Sequence, residues 1–142
     1  IHSFLHDALP IYFVLIDCPP TLGVLTINAI YAAELILIPT SYSKYSLDGI
    51  SDLFASIREV KETESFNYRI LRNMKDTRAS RTNEAIEAQL APFESNLAKT
   101  VVRRSESINQ AQMLCLPIQV FDSKSTGAVD FDALTGEVLN YE

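Results

Sequence analysis

A mostly parallel β-sheet with helices on both faces is the fold that this 142-residue sequence predicts. Three observations point there. Short, largely apolar runs recur at residues 13–16, 35–39, 68–73 and 100–102, and strands that are apolar throughout belong to sheets covered on both sides. Several of the stretches between them carry apolar residues at helical spacing. Strand and helix alternate along the chain, the order that parallel βαβ units require.

Each element has its local reason. FVLI at 13–16 reads as a buried strand that delivers Asp17 at its end, and Pro19 and Pro20 stop it because neither can donate to a ladder. LILIP at 35–39 is the second strand. Over 47–62, Leu47, Ile50, Leu53, Phe54, Ile57 and Val60 form one helical stripe, with Ser46 as N-cap and Asp48 in the first turn. The third strand is 68–73. A helix over 82–90 carries Ile86 and Leu90, with Phe93 just beyond. After the fourth strand at 100–102, helices are expected at 105–114 and 126–139, the second with Phe131, Leu134 and Val138 turned inward. A short further strand is expected at 118–121.

Composition narrows the chemistry. The length suits one domain with a sizeable core. The net charge is −6, which argues against a protein that is basic all over but leaves room for a local basic face. Cys18 and Cys115 are too few and too far apart for a disulfide framework or a zinc site, and read as reduced, packing cysteines. No apolar run approaches the length that crosses a bilayer.

Residues 1–11 (IHSFLHDALPI) show no helical or strand period and none of the marks of a signal or transit peptide. Written back into codons, they resemble a widely used sequencing adapter with one base missing. The expectation is that 1–11 is translated adapter and 12–142 the genuine chain, with Tyr12 standing in place of an Asp whose codon differs only in its first base. The competing reading is a divergent loop and helix end. Both histidines, His2 and His6, fall in this segment, so a Ser-His-Asp triad and histidine-ligated zinc drop out of consideration.

Four blocks in order resemble one family. DCPPTLGVLTINAIYAAELILIP at 17–39 resembles "DCPPSLG-LT-NAL-AAD-vliP" of the ParA partition ATPases, and SYSKYSLDGISDLFASIREVKE at 41–62 their "e-y-alxGl-xl-xti-xvk" segment. YRILRNMKDTRASRTNEAI at 68–86 is similar to "ilxNmxDxRtxxxxevi". The closing stretch at 100–138 is similar to "tvIPRnvrlsEApsxgkpixxydpkSkGaxdyxxLaxEv". The plasmid-type branch is the nearest in pattern.

That resemblance implies a P-loop NTPase fold, truncated at the N-terminus, with ATP and Mg²⁺ as cofactors. The phosphate-binding loop needs close-set glycines before a lysine, yet Gly23, Gly49, Gly127 and Gly136 are the only glycines and none sits in such a context. The family's signature lysine and first switch lie upstream of the strand equivalent to 13–16. No catalytic residue is therefore retained, and the chain is expected not to hydrolyse ATP by itself. Asp17 matches the family's Mg²⁺-associated acid, acting through a bound water. Asn73 and Met74 match the residues beside the base, where an Asn amide can both donate and accept. The plainer role of Asn73 is to cap a turn at a strand end, and that of Met74 to fill core. Val102 and Arg103 stand where the family has Pro-Arg near the adenine.

Basic residues cluster at Arg69, Arg72, Lys75, Arg78 and Arg81, and again at Lys99, Arg103 and Arg104. By resemblance, Arg78 with Arg103 and Arg104 bind DNA without reading its sequence; the alternative is a solvated charged surface. The implied partners are non-specific DNA, a second copy with ATP, and a ParB-like centromere-binding protein. The implied location is cytoplasmic, on the nucleoid, with no membrane. Two alternatives remain: a MinD-like membrane-recruited ATPase, disfavoured because the chain ends in the acidic LTGEVLNYE rather than a basic amphipathic tail, and a non-catalytic module that has lost its nucleotide loop.

Overall fold

The computed structural model describes residues 13–19, 21–42 and 44–141, without the side chains of 44–48. The segment read as adapter, with Tyr12, and also Pro20, lies outside the described residues. The chain divides into two compact units, Ile1–Ala33 and Glu34–Glu142.

In the first unit, residues 13–19 form neither strand nor helix. Phe13, Val14, Leu15 and Ile16 are exposed, Leu15 by 88%. The expected first strand is thus not formed. A strand exists only through its neighbours' hydrogen bonds, and the sheet does not include this segment. Helix α1 (Val24–Ala32) follows, entered through Gly23, with Thr26 Oγ1 donating to the Thr21 carbonyl at 2.7 Å.

The second unit is a three-stranded parallel sheet in the order β1 (Ile36–Ser41), β2 (Tyr68–Lys75), β3 (Leu97–Arg103). Helices α2 (Lys44–Lys61), α3 (Ser80–Leu90), α4 (Glu106–Met113), α5 (Ile118–Phe121) and α6 (Thr126–Val138) connect and cover it, with a 3₁₀ turn at Ala91–Asn96. Alternation along β2 shows how. Leu71 faces one side, where Ala98 and Val102 of β3 meet Leu134 and Val138 of α6. Tyr68 and Ile70 face the other, where Phe54 of α2 stacks 4.7 Å from the Tyr68 ring and 5.8 Å from Phe93 of the 3₁₀ turn. Ile57 and Ile70 are fully buried. Helices therefore lie on both faces of the sheet, as the apolar strands predict.

Four local expectations are corrected. Helix α2 begins at Lys44, with no acidic residue in its first turn, so Ser46 lies inside it and is not the N-cap. Residues 118–121 are a helical turn, not a strand: Pro117 starts it, and Ile118 packs into the cluster of Ala111 and Ala128. Phe131 is exposed, while Asp130 of the same helix is buried. Both cysteines are free but exposed rather than packed.

That rotation of α6 has a cause. Its buried face presents Asp130 and Glu137, two turns apart, to the edge strand β3. Glu137 accepts the Lys99 and Thr100 amides, at 2.6 and 2.7 Å, and the Tyr141 hydroxyl at 2.6 Å. Asp130 accepts the Arg103 amide at 2.9 Å and holds its guanidinium through Nε and Nη2. Edge amides without a neighbouring strand need such partners. Burial opposes ionisation of Glu137, but these hydrogen bonds outweigh it and hold the carboxyl at about 2.

The start of α6 comes closest to α4. A Cβ on Gly127 would stand 2.7 Å from Ile108 Cγ1 and 3.2 Å from Ser105 Oγ, so only glycine lets the two helices meet there. Ser125 caps α6, its hydroxyl accepting the Ala128 amide at 3.2 Å. Helix α4 ends in a Schellman motif: the Leu116 amide bonds the Ala111 carbonyl and the Cys115 amide that of Gln112. Cys115 takes the left-handed position at φ 53°.

Candidate functional site

Ligands of open parallel sheets bind at the carboxyl ends of the strands, and the sequence-predicted residues of the second unit gather there. The β2–β3 ladder shifts register between Arg72 and Lys75. Within that bulge Met74 adopts φ 58° and is 53% exposed. A left-handed backbone is uncommon for any residue but glycine. Asn73 supports it: its Oδ1 accepts the Met74 amide at 2.9 Å. Bulges of this kind recur beside ligand sites because they re-aim side chains. The Asn73 oxygen keeps one lone pair, and its NH₂ two protons, for a ligand.

Directly after the bulge comes a tight acidic turn. Asp76 Oδ1 accepts both the backbone amide of Arg78, at 3.0 Å, and its Nε, at 3.1 Å, while Oδ2 accepts Nη2 at 3.0 Å. The Asp76 carbonyl is held by Asn83 Nδ2 at 2.8 Å, from the buried side of α3. Hydrogen bonds from Arg78, aided by the charge of Arg104, hold the Asp76 carboxyl at about 2.

The second basic loop adjoins the first. Lys75 and Arg103 are register partners, and the Arg104 amide donates to the Lys75 carbonyl at 3.0 Å. The field of Arg104 is felt at Asp76. Arg78, Arg81 and Arg104 are all exposed around this corner. Arg103 is different, because its guanidinium is clasped by Asp130.

Sequence reading missed one cluster. Glu87 of α3 accepts the Tyr42 hydroxyl at 2.5 Å, Lys75 Nζ at 3.1 Å and Arg72 Nη1 at 3.3 Å. Arg72 also donates to the Ala98 carbonyl at 2.8 Å. Burial opposes charge on Glu87, but the hydrogen bonds from Tyr42 and Lys75 and the two cations prevail and lower its pKa. Tyr42 moves the other way, raised by burial first and then by Glu87. One carboxylate thus ties the ends of β1 and β2 and the backbone of β3 together. A Glu on a polar helix face gives no hint of this in sequence.

Asp17 lies in the first unit, in the exposed segment before α1. Among the described residues no group of three or more His, Cys, Asp or Glu could hold a metal ion. That donor set fits Mg²⁺ in one way: the ion is commonly bound by a single carboxylate, waters and the phosphates of its nucleotide.

A family model described as an AAA domain matches residues 7–71. Among curated proteins, the chain is 36% identical to an uncharacterized protein of Pseudomonas putida over 131 residues, covering 89% of this chain and 49% of that protein. It is 33% identical to the chromosome partitioning protein ParA of Myxococcus xanthus, over 89% of the chain and 46% of that protein. It is 34% identical to the sporulation initiation inhibitor protein Soj of Bacillus subtilis, over 89% and 51%.

The chain belongs to the ParA family of partition ATPases.

It spans about half the length of the curated relatives it matches. Within the ParA frame, the closing motif gains a physical meaning. Its Asp and Glu, here Asp130 and Glu137, are the two carboxylates that bind the edge of β3. Of the sequence-predicted residues, the second unit brings together Asn73, Met74, Arg78, Arg103 and Arg104; Asp17 belongs to the other unit. Among the described residues no helix is long and apolar enough to cross a membrane.

Proposed function

We propose that this chain is part of an ATP-dependent DNA-partitioning protein that binds duplex DNA without sequence preference as an ATP-bound dimer, and that a ParB-like partner stimulates its turnover. The observation that carries this reading is the corner where the Arg78 turn adjoins Arg104, whose amide is bonded to the Lys75 carbonyl, a local group of exposed arginines on a chain of net charge −6. Guanidinium groups on exposed loops suit phosphate oxygens and read no bases. Asn73 and Met74 form the base-facing wall, with the Asn73 amide donating to and accepting from an adenine edge. Asp17 holds Mg²⁺ through water, and the ion when bound neutralises phosphate charge. Arg103 serves the scaffold through Asp130 rather than DNA.

The test uses a full-length protein that carries this chain. Affinity for two unrelated duplexes is measured with and without ATP and Mg²⁺ across a salt series. Similar affinity for both, only with ATP, is expected. Arg78→Glu and Arg104→Gln should each weaken binding to both duplexes and reduce the log–log salt slope by about 0.9 per lost phosphate contact. Loss on one duplex alone, or wild-type binding by both variants, overturns the reading.

A further inference from the structure

The carboxylate of Asp76 occupies one anion-gripping edge of the Arg78 guanidinium. It meets Arg78 side-on, through Nε and Nη2, in the two-pronged geometry by which arginine grips phosphate or carboxylate. Its position is built rather than incidental. Asn83, 9% exposed, fixes the Asp76 carbonyl from below, and the Ala79 amide donates to the same oxygen at 3.1 Å. The Arg78 amide ties the carboxylate into an Asx turn. The Arg78 side chain is 86% exposed and that of Asp76 30%, so the pair stands at the surface with its guanidinium open to exchange.

We propose that Asp76 is an internal competitor for the polyanion: DNA engages this corner by displacing the Asp76 carboxylate from Arg78, and that exchange sets the affinity. This rests on the DNA-binding reading above and adds its regulation. The device keeps Arg78 aligned when DNA is absent. It also weakens the bound state, since a phosphate can take the Nε/Nη2 edge of the guanidinium only by breaking its bonds to Asp76, and so suits a protein that must release DNA. Arg104, whose charge acts on Asp76, adds to the attraction for a phosphate at this corner.

The test is a double-mutant cycle on Asp76→Asn and Arg78→Gln in the full-length, ATP-bound protein, read as duplex affinity over a salt series. Asn at 76 keeps an oxygen for the Arg78 amide, so the turn is preserved. Asp76→Asn is expected to tighten binding about three- to tenfold near 0.1 M salt and to steepen the salt slope by up to about 0.9. In the Arg78→Gln background the same change should do little. Glu64→Gln removes an equal charge at the remote Arg58 pair and should leave affinity unchanged. A tightening that persists without Arg78, or that Glu64→Gln reproduces, means simple charge removal and overturns the inference. So does no tightening, with wild-type binding still dependent on Arg78 and Arg104; in that case the DNA reading stands. No DNA binding by wild type or by Asp76→Asn overturns both.

Discussion

Replacing Glu137 with Gln tests how α6 is fastened to the sheet. Both carboxylate oxygens are in use, on the amides of Lys99 and Thr100 and the hydroxyl of Tyr141. Gln keeps one acceptor and sets an NH₂ group against a backbone N–H, donor facing donor. A hydrogen bond to a charged group contributes about 1.5–3 kcal/mol, and an orphaned buried donor costs a similar amount. A net loss of about 3 kcal/mol follows, which in a full-length protein of roughly twice this length lowers Tm by about 6 °C. The pH dependence has a definite sign. The folded carboxyl sits at about 2, below the ordinary value of 4.5. Its stabilisation is therefore complete above the unfolded value and is lost as pH falls from about 4.5 towards about 2. Thermal melts of wild type and Glu137→Gln in the full-length protein, with amide exchange at Lys99 and Thr100, measure both effects. The two melting curves should converge in acid. A variant that melts within a degree of wild type at neutral pH, with those amides still protected, refutes the argument.

Cys115→Gly should raise stability by about 1 kcal/mol, because the left-handed position at φ 53° penalises a side chain and favours glycine; an unchanged or lower denaturation midpoint counts against the Schellman assignment. Gly127→Ala should cost about 1–2 kcal/mol despite alanine's better helix propensity, since its methyl would lie 2.7 Å from Ile108. Trimming Ile108 to Ala should relieve that clash, and if Gly127→Ala is no more costly with Ile108 present, the close approach is not limiting. Asp17→Ala should weaken Mg²⁺-dependent nucleotide binding about tenfold to a hundredfold, the scale of one charge-assisted contact, with the melting temperature in the absence of nucleotide nearly unchanged. Retained ATPase activity with unaltered Mg²⁺ dependence would remove Asp17 from the site. Resequencing the source DNA should show adapter bases encoding residues 1–11; an unbroken native frame through them discards that origin.

The sheet of the second unit was legible because its strands are short apolar runs, and the runs at 35–39, 68–73 and 100–102 all became β-strands. The run at 13–16 was equally apolar and formed none, because pairing is a property of two segments and not of one. IQVF at 118–121 has the β-branched content of a strand, but Pro117 and the packing of Ile118 made it helical. In α6 Phe131 was expected inward. It is exposed and its neighbour Asp130 is buried instead, where it accepts the edge amide of Arg103. The candidate site divides in the same way. Asn73 and Arg78 were singled out through the resemblance, Asn73 also from its place at a strand end and Arg78 from the clustering of basic residues. What occupies their hydrogen bonds was not: the Met74 amide, the Asp76 carboxylate and the clasp on Arg103 depend on backbone turns that spacing does not encode.

The two carboxylates of α6 also decide how this sheet can be joined. Sheets extend by adding strands at their margins, and a subunit open at both margins behaves like a bifunctional monomer, propagating into fibres. With the Lys99, Thr100 and Arg103 amides already taken, the β3 margin is capped in the polymer chemist's sense. Among the described residues, strand addition at this margin is therefore blocked. A subunit with that end blocked does not run on into a fibre through it.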